Sequence, residues 1–231
     1  MRDVIIACDF STKEETLNFL DQFKEEKPFV KIGMELFYAE GNDIVTQIKK
    51  RGHKIFLDLK LCDIPNTVYK AMKNIAGLGV DMTNVHAYGG VEMMKSAKKA
   101  IDEVNPDTKL IAVTILTSID QSTLNNEILI KEDINDVIVK YAKNTKEAGL
   151  NGVVCSPLEA KIIKESCGEQ FLTVTPGIRF ADDAKGDQKR VTTPAMAKEI
   201  GSSYIVVGRS ITAAQDPGES YRRCVKEFVG E

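Results

Sequence analysis

A single closed barrel of eight parallel strands alternating with helices, an α/β fold, is what this sequence predicts. Three observations predict it. Short apolar runs rich in Val and Ile recur eight times, and segments with helical spacing lie between them. The chain has 231 residues, a usual size for one such domain. Near-continuous apolar runs suit strands covered on both faces, as in a parallel sheet. The expected architecture is therefore a (β/α)8 TIM barrel spanning residues 1–231 as one domain, with a doubly wound sheet as the runner-up.

The elements follow in order. Val4-Ile5-Ile6-Ala7-Cys8 is the first strand, and Ser11 is placed to cap a helix over 12–26, where Leu17, Leu20 and Phe23 recur three apart. Phe29-Val30-Lys31-Ile32 is the second strand; Ile44, Val45 and Ile48 mark the next helix. Strand three covers 54–57 and strand four 80–85, followed by a lysine-rich amphipath over 92–104. Strand five covers 110–115, and a second amphipath over 133–148 stops at Gly149. Gly152-Val153-Val154-Cys155 is strand six, and Ser156-Pro157 opens a helix with Pro in its first turn. Strand seven covers 171–174, a helix 194–200, strand eight 204–207 and a last helix 219–229.

Composition removes several classes. Hydrophobic residues are 43% and charged residues 28%, which argues against disorder. The net charge of −3 leaves no bulk basic surface for nucleic acid. No apolar run nears the roughly 18 residues of a membrane span, and 4–8 is too short for a signal-peptide core. The five cysteines, Cys8, Cys62, Cys155, Cys167 and Cys224, form no CxxC and read as reduced thiols of a cytoplasmic protein.

In such a barrel the chemistry sits where strands end at their C-termini. The densest constellation there is Asp58-Leu59-Lys60-Leu61-Cys62-Asp63. On an extended segment Asp58 and Lys60 face the same side, into the barrel mouth. Asp63 precedes Pro65, where it could instead cap a helix. A lysine that forms a Schiff base must be available as the neutral amine. Carboxylates beside a lysine favour its charged form, so Lys60 reads as a cation or proton donor. After strand eight, Gly208 and Arg209 suit a phosphate, the glycine by allowing close backbone approach and the arginine by its forked donors. Arg179 follows strand seven and opens a polar stretch over 180–193 that includes Gln188, a candidate lid. His53 precedes a strand and is expected on the surface at the opposite end. His86 ends strand four without metal-ligand neighbours in sequence. Neither GxGxxG nor a Walker loop is present.

These residues resemble the orotidine 5′-phosphate decarboxylase family in its stand-alone, bacterial-type form, over essentially the whole chain. The specific string is Asp58-Leu59-Lys60-Leu61-Cys62-Asp63-Ile64-Pro65-Asn66-Thr67. Asp9, Lys31-Ile32-Gly33, Leu116-Thr117-Ser118, Val153-Val154-Cys155-Ser156, Thr175-Pro176-Gly177-Ile178-Arg179, Gly186-Asp187-Gln188 and Val207-Gly208-Arg209 are similar in the same order. The resemblance implies decarboxylation of orotidine 5′-phosphate to UMP in pyrimidine biosynthesis, with neither metal nor cofactor. It implies that Lys60 protonates C6 and that Asp58 lies beside the scissile carboxylate. Asp9 and Lys31 would lie near the ribose, with Thr117, Ser118 and Gln188 at or close to the pyrimidine. Gln188 would also reach the phosphate, held by Arg179, Gly208 and Arg209. Asp63, Ile64 and Thr67 would enter the neighbouring site of a homodimer.

Three rivals are weaker. Metal-dependent relatives acting on sugar phosphates share Asp-x-Lys-x-x-Asp but carry an acidic ligand at the end of strand two, where this chain has Lys31. A Schiff-base aldolase conflicts with the carboxylates around Lys60. A non-catalytic sensor of phosphorylated ligands would have no need of Asp58 and Lys60 together.

Overall fold

The computed structural model describes residues 2–183 and 192–230. Its strands are β1 (Asp3–Ala7), β2 (Phe29–Ile32), β3 (Ile55–Leu61), β4 (Met82–His86), β5 (Lys109–Val113), β6 (Gly152–Val154), β7 (Leu172–Ile178) and β8 (Tyr204–Val207). All pair in parallel in chain order, and β8 pairs β1 to close the barrel. The helices are α1 (Lys13–Leu20), α2 (Met34–Glu40), α3 (Asn42–Lys50), α4 (Pro65–Gly77), α5 (Val91–Val104) and α6 (Gln121–Asn126). They continue with α7 (Ile134–Glu147), α8 (Ala160–Cys167), α9 (Pro194–Ile200), α10 (Arg209–Thr212) and α11 (Pro217–Phe228). The eight predicted strands are all present; β2 and β8 have the predicted bounds, and the other six are shifted at their ends by up to a few residues.

Strand alternation sorts the side chains into two cores. Val4, Ile6, Val30, Ile32, Ile55 and Leu57 point outward and pack against the helices. Ile5, Ala7, Phe29, Phe56, Met82, Ile111, Val174, Tyr204 and Val206 fill the barrel. Fully burying one such Ile, Val or Phe contributes about 1.5–3 kcal/mol relative to leaving it exposed. The same parity carried one step further along each strand delivers Asp9 above Ala7, Lys31 above Phe29, Asp58 above Phe56 and Gly208 above Val206. The inward layer that fills the barrel thus becomes, at its top, the layer that carries charge.

Several local expectations change. The cap of α1 is Thr12, whose side chain accepts from Glu15 N at 3.2 Å, and not Ser11. That helix ends at Leu20. The chain then turns to seat Phe23 edge-on against Phe19 and Tyr221, with centroids 5.4 and 5.9 Å away. The helix opened by Ser156-Pro157 begins as a short 3-10 turn, Pro157–Glu159, before α8. Gly149 ends α7 with φ +83°, as predicted. His53 is not a surface residue. It is buried, its Nδ1 lies 2.9 Å from Pro28 O, and its Nε2 has no partner. It does lie before β3, at the end of the barrel away from the charged layer.

Candidate active site

Four charged side chains meet at the strand ends. Lys31 Nζ lies 2.8 Å from Asp9 Oδ1 and 3.7 Å from Asp58 Oδ2. Lys60 Nζ lies 2.8 Å from Asp58 Oδ1. Charge therefore alternates from Asp9 through Lys31 and Asp58 to Lys60. Its two middle members are the most buried, since the side chains of Lys31 and Asp58 are 11% and 12% exposed, against 60% for Asp9 and 25% for Lys60. Ion pairs in the interior must offset the loss of hydration of both partners, and removing one partner leaves an uncompensated buried charge. Gly33 gives this array room, because a Cβ there would sit 3.3 Å from both Asp9 Oδ1 and Lys31 Nζ.

The sequence places Asp58 and Lys60 on one side correctly, but for a different reason than uniform extension. Lys60 has φ +54°, in the left-handed region, and the β3/β4 register shifts between Leu57 and Leu61. The bulge accommodates Lys60 while its ammonium lies on Asp58. Asn84 of β4, not singled out in the sequence, is also at this point: its Nδ2 donates to Asp58 Oδ1 at 2.7 Å and its Oδ1 accepts from Lys60 N at 2.8 Å. The signal that could have found it is parity, since Asn84 lies two residues above the inward-facing Met82.

A cavity of about 380 Å3 adjoins Lys31 and Asp9. Its other lining includes Arg179, Gly208, Arg209 and Ser210, from the ends of β7 and β8. Beyond Arg179, the start of the polar stretch is tied down. Phe180 N donates to Asp183 Oδ2 at 3.0 Å, and Ser210 Oγ donates to the same oxygen. Arg223 of α11 lies 4.1 Å over the Phe180 ring and pairs both Asp182 oxygens at 3.0 and 2.8 Å. At the far end Thr192 O accepts from Arg179 N at 3.2 Å. Gln188 and most of the predicted lid fall in 184–191, outside the described residues.

The remaining candidates stand apart from this cavity lining. Thr117 and Ser118 are exposed in the turn after β5. Asp63, Ile64 and Thr67 are exposed on the approach to α4 and its first turn, and Ile64 N donates to Asp63 Oδ1 at 2.6 Å. Asp63 does not cap α4; Ile64 occupies the cap position without a side-chain bond. His86 lies near Lys60 and Asp58. Burial is the main cause lowering its pKa, the Lys60 ammonium adds to this, and Asp58 opposes it. Burial pushes the Cys8 thiol up to about 12, against the Lys31 charge, so it stays protonated below the site. Among the described residues, no group of three or more His, Cys, Asp or Glu side chains could hold a metal ion. Among them also, no helix is long and apolar enough to cross a membrane.

Comparison with known proteins gives this arrangement its relatives. The chain is 55% identical over 221 residues to the orotidine 5′-phosphate decarboxylase of Fusobacterium nucleatum, covering 96% of this chain and 93% of that one. It is 52% identical over 233 residues to the protein of the same name from Bacillus cytotoxicus, covering 99% and 98%. The crystal structure of orotidine 5′-phosphate decarboxylase from Lactobacillus acidophilus matches with a TM-score of 0.88 at 45% identity, over 99% of both chains. The model of the orotidine 5′-phosphate decarboxylase / HUMPS family matches residues 2–224, and the chain belongs to that family.

Proposed function

We propose that this enzyme decarboxylates orotidine 5′-phosphate to UMP in pyrimidine biosynthesis, without a metal ion. The observation that carries the reading is the alternating array of Asp9, Lys31, Asp58 and Lys60 beside a cavity walled by Arg179 and Arg209. Arg179, Arg209 and the backbone at Gly208 grip the phosphate, with Gln188 reaching it from the loop. Asp9 and Lys31 hold the ribose. Thr117, Ser118 and Gln188 meet the pyrimidine, which places C6 near Lys60.

The chemistry follows from where the electrons go. Breaking the bond from C6 to the carboxylate releases CO2 and leaves the electron pair in the ring plane, where the pyrimidine π system cannot take it up. A fixed cation aimed at that pair stabilises it without reorganisation. Lys60 supplies the cation and then a proton: an Nζ–H bond breaks, the C6–H bond forms, and water returns a proton to the neutral amine. Asp58 orients Lys60 and lies beside the departing carboxylate. Phosphate contacts remote from C6 supply binding energy that holds the ring in register.

The rival is a metal-dependent sugar-phosphate lyase of the same barrel. Against it, both Asp9 and Asp58 are faced by Lys31, whose charge would repel a divalent cation from the carboxylates best placed to bind one. The same reading makes the enzyme a cytoplasmic homodimer in which Asp63, Ile64 and Thr67 reach the partner's site. An absorbance assay with orotidine 5′-phosphate tests the reaction. Turnover is expected to be the same with and without EDTA; activity lost to EDTA and restored by Mg2+ would transfer the chain to the metal-dependent relatives.

A further inference from the structure

Asn84 stands opposite the break in the β3/β4 ladder. Leu57 pairs with Thr83 and Leu61 with Val85, so Asp58, Leu59 and Lys60 lie opposite Asn84 alone. Regular backbone pairing lapses there, and the Asn84 side chain occupies the gap. Its Oδ1 accepts from Lys60 N at 2.8 Å, and its Nδ2 donates to Asp58 Oδ1 at 2.7 Å. The residue is fully buried, so water does not compete for these bonds. Lys60 carries a positive φ of 54°, which a non-glycine residue keeps only where its surroundings impose it. The bond from Lys60 N–H to Asn84 is part of that imposition.

We infer that Asn84 is a positioning residue for Asp58 and Lys60. One end of its amide holds the bulge that carries Lys60; the other donates to the carboxylate oxygen that the Lys60 ammonium also approaches. Asp58 Oδ1 then has two donors, Asn84 Nδ2 and Lys60 Nζ, while Oδ2 faces Lys31 Nζ. The carboxylate cannot rotate without breaking one of these contacts. An amide suits this place because it accepts at one atom and donates at the other, whereas a carboxylate only accepts. The inference rests on the decarboxylase reading and adds to it the group that fixes the geometry of the reacting pair.

Two substitutions separate the roles. Asn84→Ala removes both bonds. Asn84→Asp keeps an acceptor for Lys60 N–H but sets a second carboxylate against Asp58. The charged and titratable groups around that point are Lys31 from β2, Lys60 from β3, His86 from β4 and, behind Lys31, Asp9 after β1. Two carboxylates in contact share a proton more readily as pH falls, which restores a donor between them. The measurements are kcat and KM across about pH 5.5–8, with melting curves and UMP binding to establish that each variant folds.

For Asn84→Ala, kcat is expected to fall about 100-fold with KM within about threefold, since misplacement of the reacting pair spares the phosphate grip. For Asn84→Asp, kcat is expected to climb at least about tenfold from pH 8 to 5.5, a limb absent from the wild type. A folded Asn84→Ala whose kcat stays within about threefold of wild type overturns the inference. So does an Asn84→Asp profile parallel to the wild type, and so does the failure of both variants to fold, which would make Asn84 a residue of the fold alone. An inactive wild type strikes the decarboxylase reading itself; an active wild type with indifferent variants strikes only this inference.

Discussion

In the proposed reaction Lys60 supplies both the cation and the proton, and its surroundings define what it can do. Its ammonium lies 2.8 Å from Asp58 Oδ1, which suits a cation and proton donor and not a free amine attacking a carbonyl. Lys60→Ala is expected to lower turnover by roughly 10^4-fold, because electrostatic stabilisation and proton donation are lost together. UMP binding should persist, since Arg179, Gly208 and Arg209, the proposed phosphate grip, are untouched. Borohydride should trap no substrate on the wild type; an adduct on Lys60 would restore the Schiff-base reading. His53 shows a different single-residue effect. Burial is the main cause lowering its pKa below the ordinary 6.5, aided by Lys27 and Arg51 and opposed by the Pro28 carbonyl and Asp21. The folded state therefore takes up the proton less readily than the unfolded chain. The resulting stability is present in full above the unfolded value and is lost as pH falls from there through the lowered folded one. Urea midpoints should drop on going from about pH 7.5 to 5.5, and His53→Gln, which keeps an N–H donor but does not titrate, should flatten that slope. Equal slopes for the two proteins would remove His53 from the account.

At the scale of elements, what was legible followed from periodicity, and what was not followed from departures from it. Eight apolar runs located eight strands because parallel strands are covered on both faces. The run at strand three stops at Leu57 in an apolar reading, yet β3 continues to Leu61. Asp58 and Lys60 interrupt the apolar run there because their side chains meet at the barrel mouth. The bulge at Lys60 is a property of the β3/β4 ladder, and no spacing within either strand encodes it. Parity with Met82 turns Asn84 inward, but only the bulge shows why it matters, so Asp58 and Lys60 were found from sequence while Asn84, which answers the bulge from the neighbouring strand, was not. Helix α4 was read only at its start near Pro65, although its extent was legible: Val68, Met72, Ile75 and Ala76 have helical spacing and are all buried. The Ser11 cap failed for a local reason, since Thr12 is also a capping residue by type and the chain path decides between neighbours. The tethering of Phe180, Asp182 and Asp183 to α10 and α11 was likewise invisible, because its partners lie 27 to 43 residues downstream.

For the molecule as a whole, the parity of eight strands converges Asp9, Lys31, Asp58, Asn84 and Gly208 on one mouth, while the run from Cys62 to Thr67 lies exposed beyond it. Ile64 is 67% exposed and Tyr88 61%, which leaves apolar surface beside the charged Asp63. A second copy of the chain covering this edge would bring Asp63 into a site whose Lys60 belongs to the other chain. That arrangement has a quantitative signature. Asp63→Ala and Lys60→Ala should each be inactive alone. In a heterodimer of the two, one site lacks both residues and the other has both, so the second site should work. Random mixing of equal amounts makes about half of all dimers heterodimers, and recovery should approach about a quarter of wild-type activity per site. If Lys60 and Asp63 instead served the same chain's site, every site would lack one of them and mixing would recover nothing. The experiment is to mix the inactive variants, allow subunits to exchange, verify exchange with differently tagged chains, and assay. Verified exchange with no recovered activity would reject the shared site and return Asp63 to its own chain.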